Sequence, residues 1–395
     1  MTPPLPLSQL FWIFFRIACT SFGGYMAMIS VVQNVVVERK KLMTHADMLD
    51  GISLASILPG PVAVNLVAYV GYRLRRGPGA FVCVIAAVLP SFVFIMILSI
   101  AYFRYGQMPA VSKLFMGFIP AVTAIIVAAA WNMGRKAVPG VREGVLMVAA
   151  GAALYGIGGV WSTLLIILFA GVAGWMWFRG DVQGEPAKPA RAADKPVKPR
   201  LNANLLLSTS AQAGNLVPLM AFEPNLIAQL FLTFASMSLM LFGGAYVFIP
   251  LMQEIVVDGH GWVSQQEFID AVALGQITPG PILVSAAFIG LKVAGFAGAA
   301  VATIGIYLPS ALLIIGSTHG LQKVRHSVII KAALRGIRPA VVGMIFVAAV
   351  IIGQTAVPVW ISVVIFVGAL YTLFRFRVEA VWIIPPAGVL AVLFY

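Results

Sequence analysis

Phe22-Gly23-Gly24 with Leu58-Pro59-Gly60-Pro61, and later Phe242-Gly243-Gly244 with Thr278-Pro279-Gly280-Pro281, decide the fold of this 395-residue chain. The offset from Phe22 to Phe242 and from Pro59 to Pro279 is the same, 220 residues, so one unit is written twice. Gly-Gly and Pro-Gly-Pro both interrupt helices, and every copy falls inside an apolar stretch. Within a bilayer, an interrupted helix persists only where its freed backbone is buried in protein or lines a cavity. In duplicated membrane proteins such a cavity is the usual place for a substrate.

The match extends well beyond the breakers. Gln33 aligns with Gln253, Asp47 and Asp50 with Glu267 and Asp270, and Val70-Gly71-Tyr72-Arg73 with Ile289-Gly290-Leu291-Lys292. Pro90-Ser91 aligns with Pro309-Ser310 and Pro120-Ala121 with Pro339-Ala340, at an offset of 219 after one residue is lost near position 70. Each half carries six apolar stretches. They run over 9–33, 46–72, 79–103, 111–134, 143–158 and 160–178, then over 226–252, 265–291, 296–318, 328–352, 357–374 and 379–395. Between the halves, Gly180 to Leu201 is a Pro/Ala/Lys tether that cannot pack a core. The expected division is 1–180 for the first repeat, 181–225 for the basic linker and 226–395 for the second repeat.

With 61% hydrophobic and only 10% charged residues, against about 25% charged in soluble proteins, the chain reads as a polytopic membrane protein. Its net charge of +13 sits in short loops between apolar runs, the pattern of cytoplasmic membrane loops, which argues against nucleic acid as a partner. Cys19 and Cys83 lie in apolar segments, so neither a disulfide nor a thiolate metal site is expected. Residues 1–10 have no basic n-region and no small-residue cleavage site, so no signal peptide is expected. His45, His260, His319 and His326 form no metal-ligand pair at helical spacing. No nucleophile motif or phosphate loop appears. We therefore expect no enzyme activity, no ATP-driven pump, no metal and no cofactor.

Topology follows from length and charge. A span needs about 20 apolar residues, and Pro-Gly-Pro cuts the second stretch of each half into pieces of roughly 13 and 11. These pieces form either one broken span or a re-entrant hairpin. With a hairpin and an outside N-terminus, Arg39, Lys40, Lys41, Arg73, Arg75, Arg76, Arg135, Lys136, Arg142 and the linker are all cytoplasmic. Only Arg104 and Lys113 are left outside. Five true spans per half make the second half run upside down. Lys323, Arg325, Lys331, Arg335, Arg338, Arg375 and Arg377 then also fall inside, with Lys292 the exception. The positive-inside rule favours this arrangement: an all-α polytopic membrane protein of two inverted homologous halves. Each half has about five transmembrane helices plus one re-entrant helical hairpin, with the linker cytoplasmic and both termini outside.

Proline suits the first turn of a helix, so Pro61 and Pro281 should open the second arm of each hairpin. The unpaired amides of Val62, Ala63 and Val64, and of Ile282, Leu283 and Val284, then face the tips beside Gly60 and Gly280. Such an N-terminus offers donors and about half a positive charge to an anion. The alternative is a tight turn filled by protein. Arg16, deep in the first span, has a fork of donors that fits an oxyanion, or it snorkels to the headgroups; its counterpart is Ser236. Thr20, Ser21, Ser56, Asn65, Gln276, Thr278 and Ser285 either replace water around a dehydrated anion or bond their own helices. Gly23, Gly24, Gly243 and Gly244 allow close backbone approach, or pack small faces together. Thr44 with Asp47 and Ser264 with Glu267 read as N-cap signals. Glu254, Asp50 and Asp270 are candidates for proton coupling.

Phe22-Gly23-Gly24 and Leu58-Pro59-Gly60-Pro61, echoed by Phe242-Gly243-Gly244-Ala245-Tyr246, Gly261-Trp262 and Thr278-Pro279-Gly280-Pro281, resemble the chromate ion transporter family in its long, two-domain form. The resemblance covers nearly all of the chain outside the linker. It implies antiparallel homologous halves and a secondary transporter of tetrahedral oxyanions, with chromate or sulfate as the dianion partner. It also implies export of chromate across the bacterial inner membrane, hence chromate resistance. Export of a dianion down an inside-negative potential is favoured by about 2.3 kcal/mol per charge per 100 mV. A sulfate or other oxyanion importer, or an anion channel on the same scaffold, are the alternatives, and a homodimer stays open. Two residues depart from the expected family pattern: Tyr25 follows the first Gly-Gly in place of proline, and Val62 follows the first Pro-Gly-Pro in place of a polar residue. They bear on the cargo rather than on the fold.

Overall fold

A computed structural model describes residues 5–21, 24–106, 108–157, 162–183, 224–242, 245–318, 327–376 and 378–395. All the regular structure among these residues is helical, and the apolar stretches become helices where the sequence places them. In the first half, α1 (Leu7–Thr20) breaks and resumes as α2 (Gly24–Gln33), which ends in a π-helical turn, Asn34–Arg39. Then come α3 (His45–Ile57), α4 (Val62–Tyr105), α5 (Pro109–Ala137), α6 (Val141–Ile157) and α7 (Ser162–Gln183).

The second half repeats the order. Helix α8 (Pro224–Met240) precedes a 3-10 turn, Ala245–Val247, then α9 (Phe248–Gln253) and a π-helical turn, Glu254–Gly259. These are followed by α10 (Gln265–Ile277), the turn Ile282–Val284, α11 (Ser285–Ser317), α12 (Val328–Gln354), α13 (Trp360–Phe376) and α14 (Ile384–Phe394). Helix α7 runs three residues past the expected repeat boundary at 180, and the rest of the tether lies outside the described residues.

The two longest helices are not straight rods. Backbone angles leave the helical region at Arg75 and Arg76 in α4, and at Ala294 and Gly295 in α11. At each kink the chain doubles back so tightly that Gly71 faces the carbonyl of Gly79, and Gly290 that of Gly298. Arg76 takes φ 54° where the second half uses Gly295 at φ 64°. That conformation costs a non-glycine residue about 1–2 kcal/mol. Each long helix is thus a return arm, 62–74 or 282–293, followed by a separate span, 77–105 or 296–317.

The helices α3 and α10, of 13 residues each, reach about 20 Å, short of a hydrocarbon core of about 30 Å. Each packs against its own return arm to make a helical hairpin. In the first, Gly51 lies under the ring of Tyr69, and in the second Gly275 lies beside Ser285, pairings symmetric about the tip glycines.

The outer helices interlace the halves. Helix α5 packs on α13 and α14, while α12 packs on α6 and α7. Gly174 and Gly336 let α7 and α12 touch backbone to backbone: a methyl at 174 would fall 2.7 Å from the Gly336 Cα. On the same seam Arg335 bonds the buried Glu143 at 3.1 Å, approaches Asp181 at 3.8 Å and covers the Phe178 ring. Large apolar side chains, among them Phe81, Phe94, Ile97, Leu168, Phe169, Val363 and Leu393, face outward. They make the apolar surface that a bilayer requires, and among the described residues five helices are long and apolar enough to cross it by themselves.

Candidate functional site

Local chemistry builds each hairpin. Thr44 caps α3 by accepting from the Asp47 amide at 3.1 Å, and Ser264 and Glu267 form a full capping box on α10. The same two acids then close the hairpin mouths. Asp47 pairs with Arg73 at 2.5 Å, and Glu267 pairs with Lys292. Each pair joins the start of one arm to the end of the other, so both ends of a hairpin emerge together. The expected N-caps are observed.

At the tips, Pro-Gly-Pro turns through glycine in the left-handed region, φ +109° at Gly60 and +112° at Gly280. The return arm starts at Val62 in one half and at Ile282 in the other, immediately after Pro61 and Pro281. In the first hairpin, Asn65 ties the turn from below: its amide donates to the Pro61 carbonyl at 2.9 Å and its Nδ2 to the Pro59 carbonyl at 3.0 Å. Its buried Oδ1 has no partner.

The tips are seated reciprocally. The Gly60 amide donates to the Leu241 carbonyl at 2.8 Å, and the Gly280 amide to the Ser21 carbonyl at 3.1 Å. Ser21 and Leu241 are equivalent residues, each closing the first helix of its half. Ser91 donates to the Pro279 carbonyl, and its equivalent, Ser310, abuts Gly60. Each hairpin therefore ends inside the other half, against the broken end of one helix and the middle of another. Ser91 lies halfway along the span 77–105, which sets the depth of the second tip.

Ser21, Gly60, Val62, Ala63, Asn65, Thr278, Gly280, Ile282, Leu283 and Ser285 are all buried, with Gly60 and Asn65 at the first tip and Ser21 meeting Gly280 at the second. Most of the hydroxyls are used locally. Ser21, Ser56, Thr278 and Ser285 each bond a carbonyl three or four residues back, as does Thr20 to Arg16. Gln276 differs, since its buried Nε2 finds no acceptor. Arg16 differs from this group in burial. It is exposed beside Trp12, on the face of α1 opposite the buried stripe Leu10, Phe14 and Ile17. Gly24 begins α2, while Gly23, Gly243 and Gly244 lie outside the described residues.

The acids separate by environment. Glu254 is buried and accepts from Ser162 at 2.7 Å and from Thr163, so it caps the N-terminus of α7. Asp270 is buried between Tyr102 at 2.8 Å and Gln266 at 3.0 Å, whereas Asp50 is half-exposed. Ser91, Ser310, Tyr102 and the Leu241 carbonyl were not singled out from sequence. The repeat alignment already marked Ser91 and Ser310 as equivalent, and it was the one available signal.

Paired interrupted helices, buried tip to partner half in a duplicated all-helical scaffold, define a two-half polytopic membrane protein. Comparison with known proteins then fixes the family. Residues 8–175 and 228–393, one stretch per half, match the family model described as Chromate transporter, and the chain belongs to that family. It is similar to the chromate transport protein of Cupriavidus metallidurans, 30% identical over 90% of this chain and 84% of the relative. It is similar also to the probable chromate transport protein of Synechococcus elongatus, 29% identical over 89% and 86% of the two chains. A third relative is the chromate transport protein of Pseudomonas aeruginosa, 26% identical over 87% and 80%. No solved structure matches.

Proposed function

We propose that this chain is a secondary transporter that moves chromate, as the dianion, out of the cell across the cytoplasmic membrane, with the two Pro-Gly-Pro tips as its binding elements. The names of its relatives support the cargo. The reciprocal seating of the tips is the observation that carries the mechanism.

In this reading the halves are inverted. Gly280 lies by Ser91 while Phe288 lies by Tyr102 and Phe103, so the second return arm runs along the span 77–105 in the same direction. The span 296–317 doubles back on that arm and therefore opposes its counterpart. Equivalent spans pointing opposite ways are what an in-plane pseudo-twofold axis produces.

The seated tips form a closed state. The Gly60 and Gly280 amides complement the carbonyl ends of α8 and α1, where helix dipoles are negative. A dianion competes for those donors and for the first-turn amides of Val62, Ala63, Ile282 and Leu283, which have no acceptor within their own helix. The unpaired Gln276 Nε2 adds a donor beside the second tip. The exposed Arg16 serves in this scheme to draw oxyanions to the surface rather than to hold them.

Labelled chromate flux in membrane vesicles of both orientations, with sulfate as competitor, tests the proposal. Saturable chromate export with weak sulfate inhibition is expected. Preferred sulfate uptake, or unitary conductance steps in planar bilayers, would replace it with an importer or a channel.

A further inference from the structure

Asp270 is the best-buried acid of the hairpins, 1% exposed, and it makes no ion pair among the described residues. Among the described residues its carboxyl oxygens accept from two neutral groups, the Tyr102 hydroxyl at 2.8 Å and Gln266 Nε2 at 3.0 Å. Other charged groups lie on the elements packed against it. On α10 itself Glu267 is engaged with Lys292 of the return arm. The span 77–105 contributes Tyr102 and, at its end, Arg104. Helix α5 contributes Lys113 in its first turn, and the turn Ala380–Trp382 contributes Glu379 just before it. Helix α9 brings no titratable group, and Glu254 beyond it is bound by Ser162 and Thr163.

A carboxylate buried among neutral donors carries an uncompensated charge, which is costly unless the group takes up a proton or returns to water. Both exits matter here because of what Asp270 holds. Tyr102 belongs to the first half and Asp270 to the hairpin of the second, so their hydrogen bond fastens α10 to the span that seats its tip. Its equivalent in the first hairpin, Asp50, is half-exposed, and the position equivalent to Tyr102 in the second half is a leucine, Leu321, which has no hydroxyl.

We propose that Asp270 is a proton-binding site controlling the second hairpin: with the proton bound it keeps α10 seated against Tyr102, and without it the hairpin is released. Taking the proton from water forms one O–H bond and changes the local charge from −1 to zero. Oxyanion movement through the released hairpin is then linked to one proton per cycle. This link to transport rests on the function proposed above, whereas the switch itself does not.

The test therefore uses two readouts on the full-length protein. In the first, Thr278→Cys, in a background with Cys19 and Cys83 replaced by serine, reports seating through maleimide labelling relative to an exposed reference thiol. Relative labelling should rise with pH by up to about tenfold per unit, the limit for one linked proton. It should stay low at every pH in Asp270→Asn, which keeps an acceptor for the Tyr102 hydroxyl but cannot ionise. In the second readout, chromate flux in proteoliposomes at zero membrane potential should respond to a pH gradient, and should lose that response in Asp270→Asn. Should Asp270→Asn fail to fold, Tyr102→Phe, which removes one donor, should shift the wild-type labelling profile to lower pH. A pH-independent wild-type profile, or one unchanged in Asp270→Asn or Tyr102→Phe, overturns the switch. A normal switch with no chromate flux upholds it and removes the proposed cargo instead.

Discussion

Replacing Gly280 by alanine asks whether the second tip is seated where the structure has it. Two costs add. A side chain at φ +112° costs about 1–2 kcal/mol. The new methyl would also overlap Ser91 Oγ, a contact no real pair of atoms makes, and overpacking of this kind costs about 1–3 kcal/mol. The single mutant should lose about 2–5 kcal/mol as the sum of these terms. Ser91→Ala alone removes the bond to the Pro279 carbonyl, worth about 1 kcal/mol. In the double mutant the steric term vanishes, because the Cβ of residue 91 stands 3.5 Å from the added methyl, an ordinary contact. The cycle should show a favourable coupling of about 1–3 kcal/mol. Thermal melting of the detergent-purified protein reads this as a double mutant that melts higher than the two single shifts added together would give. The first hairpin supplies the control: Gly60→Ala meets Ser310 at Cβ itself, so Ser310→Gly rescues it and Ser310→Ala does not. Additivity within about 0.5 kcal/mol for Gly280→Ala with Ser91→Ala would refute the seating.

Arg335→Ala leaves Glu143 buried without its partner and should cost about 3–5 kcal/mol. Glu143→Gln should cost less, and the order of the two melting temperatures checks this. Leucine at Gly174 should drive α7 from α12, where a single added carbon already falls 2.7 Å from Gly336; loss of co-purification of separately expressed halves is the readout. Lys188→Cys and Asp258→Cys should react with impermeant maleimide from opposite faces of the membrane, and reaction from one face would end the inverted topology. Arg73→Ala opens only a partly exposed pair, so it should lower stability by no more than about 1 kcal/mol, seen as a small shift in melting.

What the sequence revealed depended on the range of the interaction. The caps at Thr44 and Ser264 are contacts three residues long, and the residue types alone dictate them. The hairpins were legible because Pro-Gly-Pro leaves pieces too short to span. The seating of Gly60 and Gly280 was not legible: Ser310 and Ser91 lie far away in the chain, and a repeat alignment says they are equivalent without saying what they touch. Arg16 shows the limit in another form. A membrane helix is apolar all round, so depth can be read from sequence while azimuth cannot, and only packing on Leu10, Phe14 and Ile17 shows which face of α1 carries Arg16. The interlacing of α5 with α13 and α14, and of α12 with α6 and α7, carried no sequence signal beyond scattered glycines.

That interlacing assigns different tasks to different parts of the chain. The outer helices exchange between halves through backbone contacts and the pair of buried Glu143 with half-buried Arg335, and close-packed interfaces of this kind resist gradual deformation. The hairpins are held otherwise. Each tip is fixed by one amide bond and one serine contact, and the second by the Tyr102–Asp270 bond as well, with an ion pair at each mouth. These polar contacts are few, and in the proposed reading an incoming dianion competes for the donors among them, the Gly60 and Gly280 amides and the Ser91 hydroxyl. Motion should therefore concentrate at the kinks, Arg75-Arg76 and Ala294-Gly295, where the return arms join the spans. Hydrogen exchange should find the amides of α3 and α10 opening well before those of α5 and α12. Equal protection across all four would mean that hairpins and frame move as one body, and that the tips open by some other route.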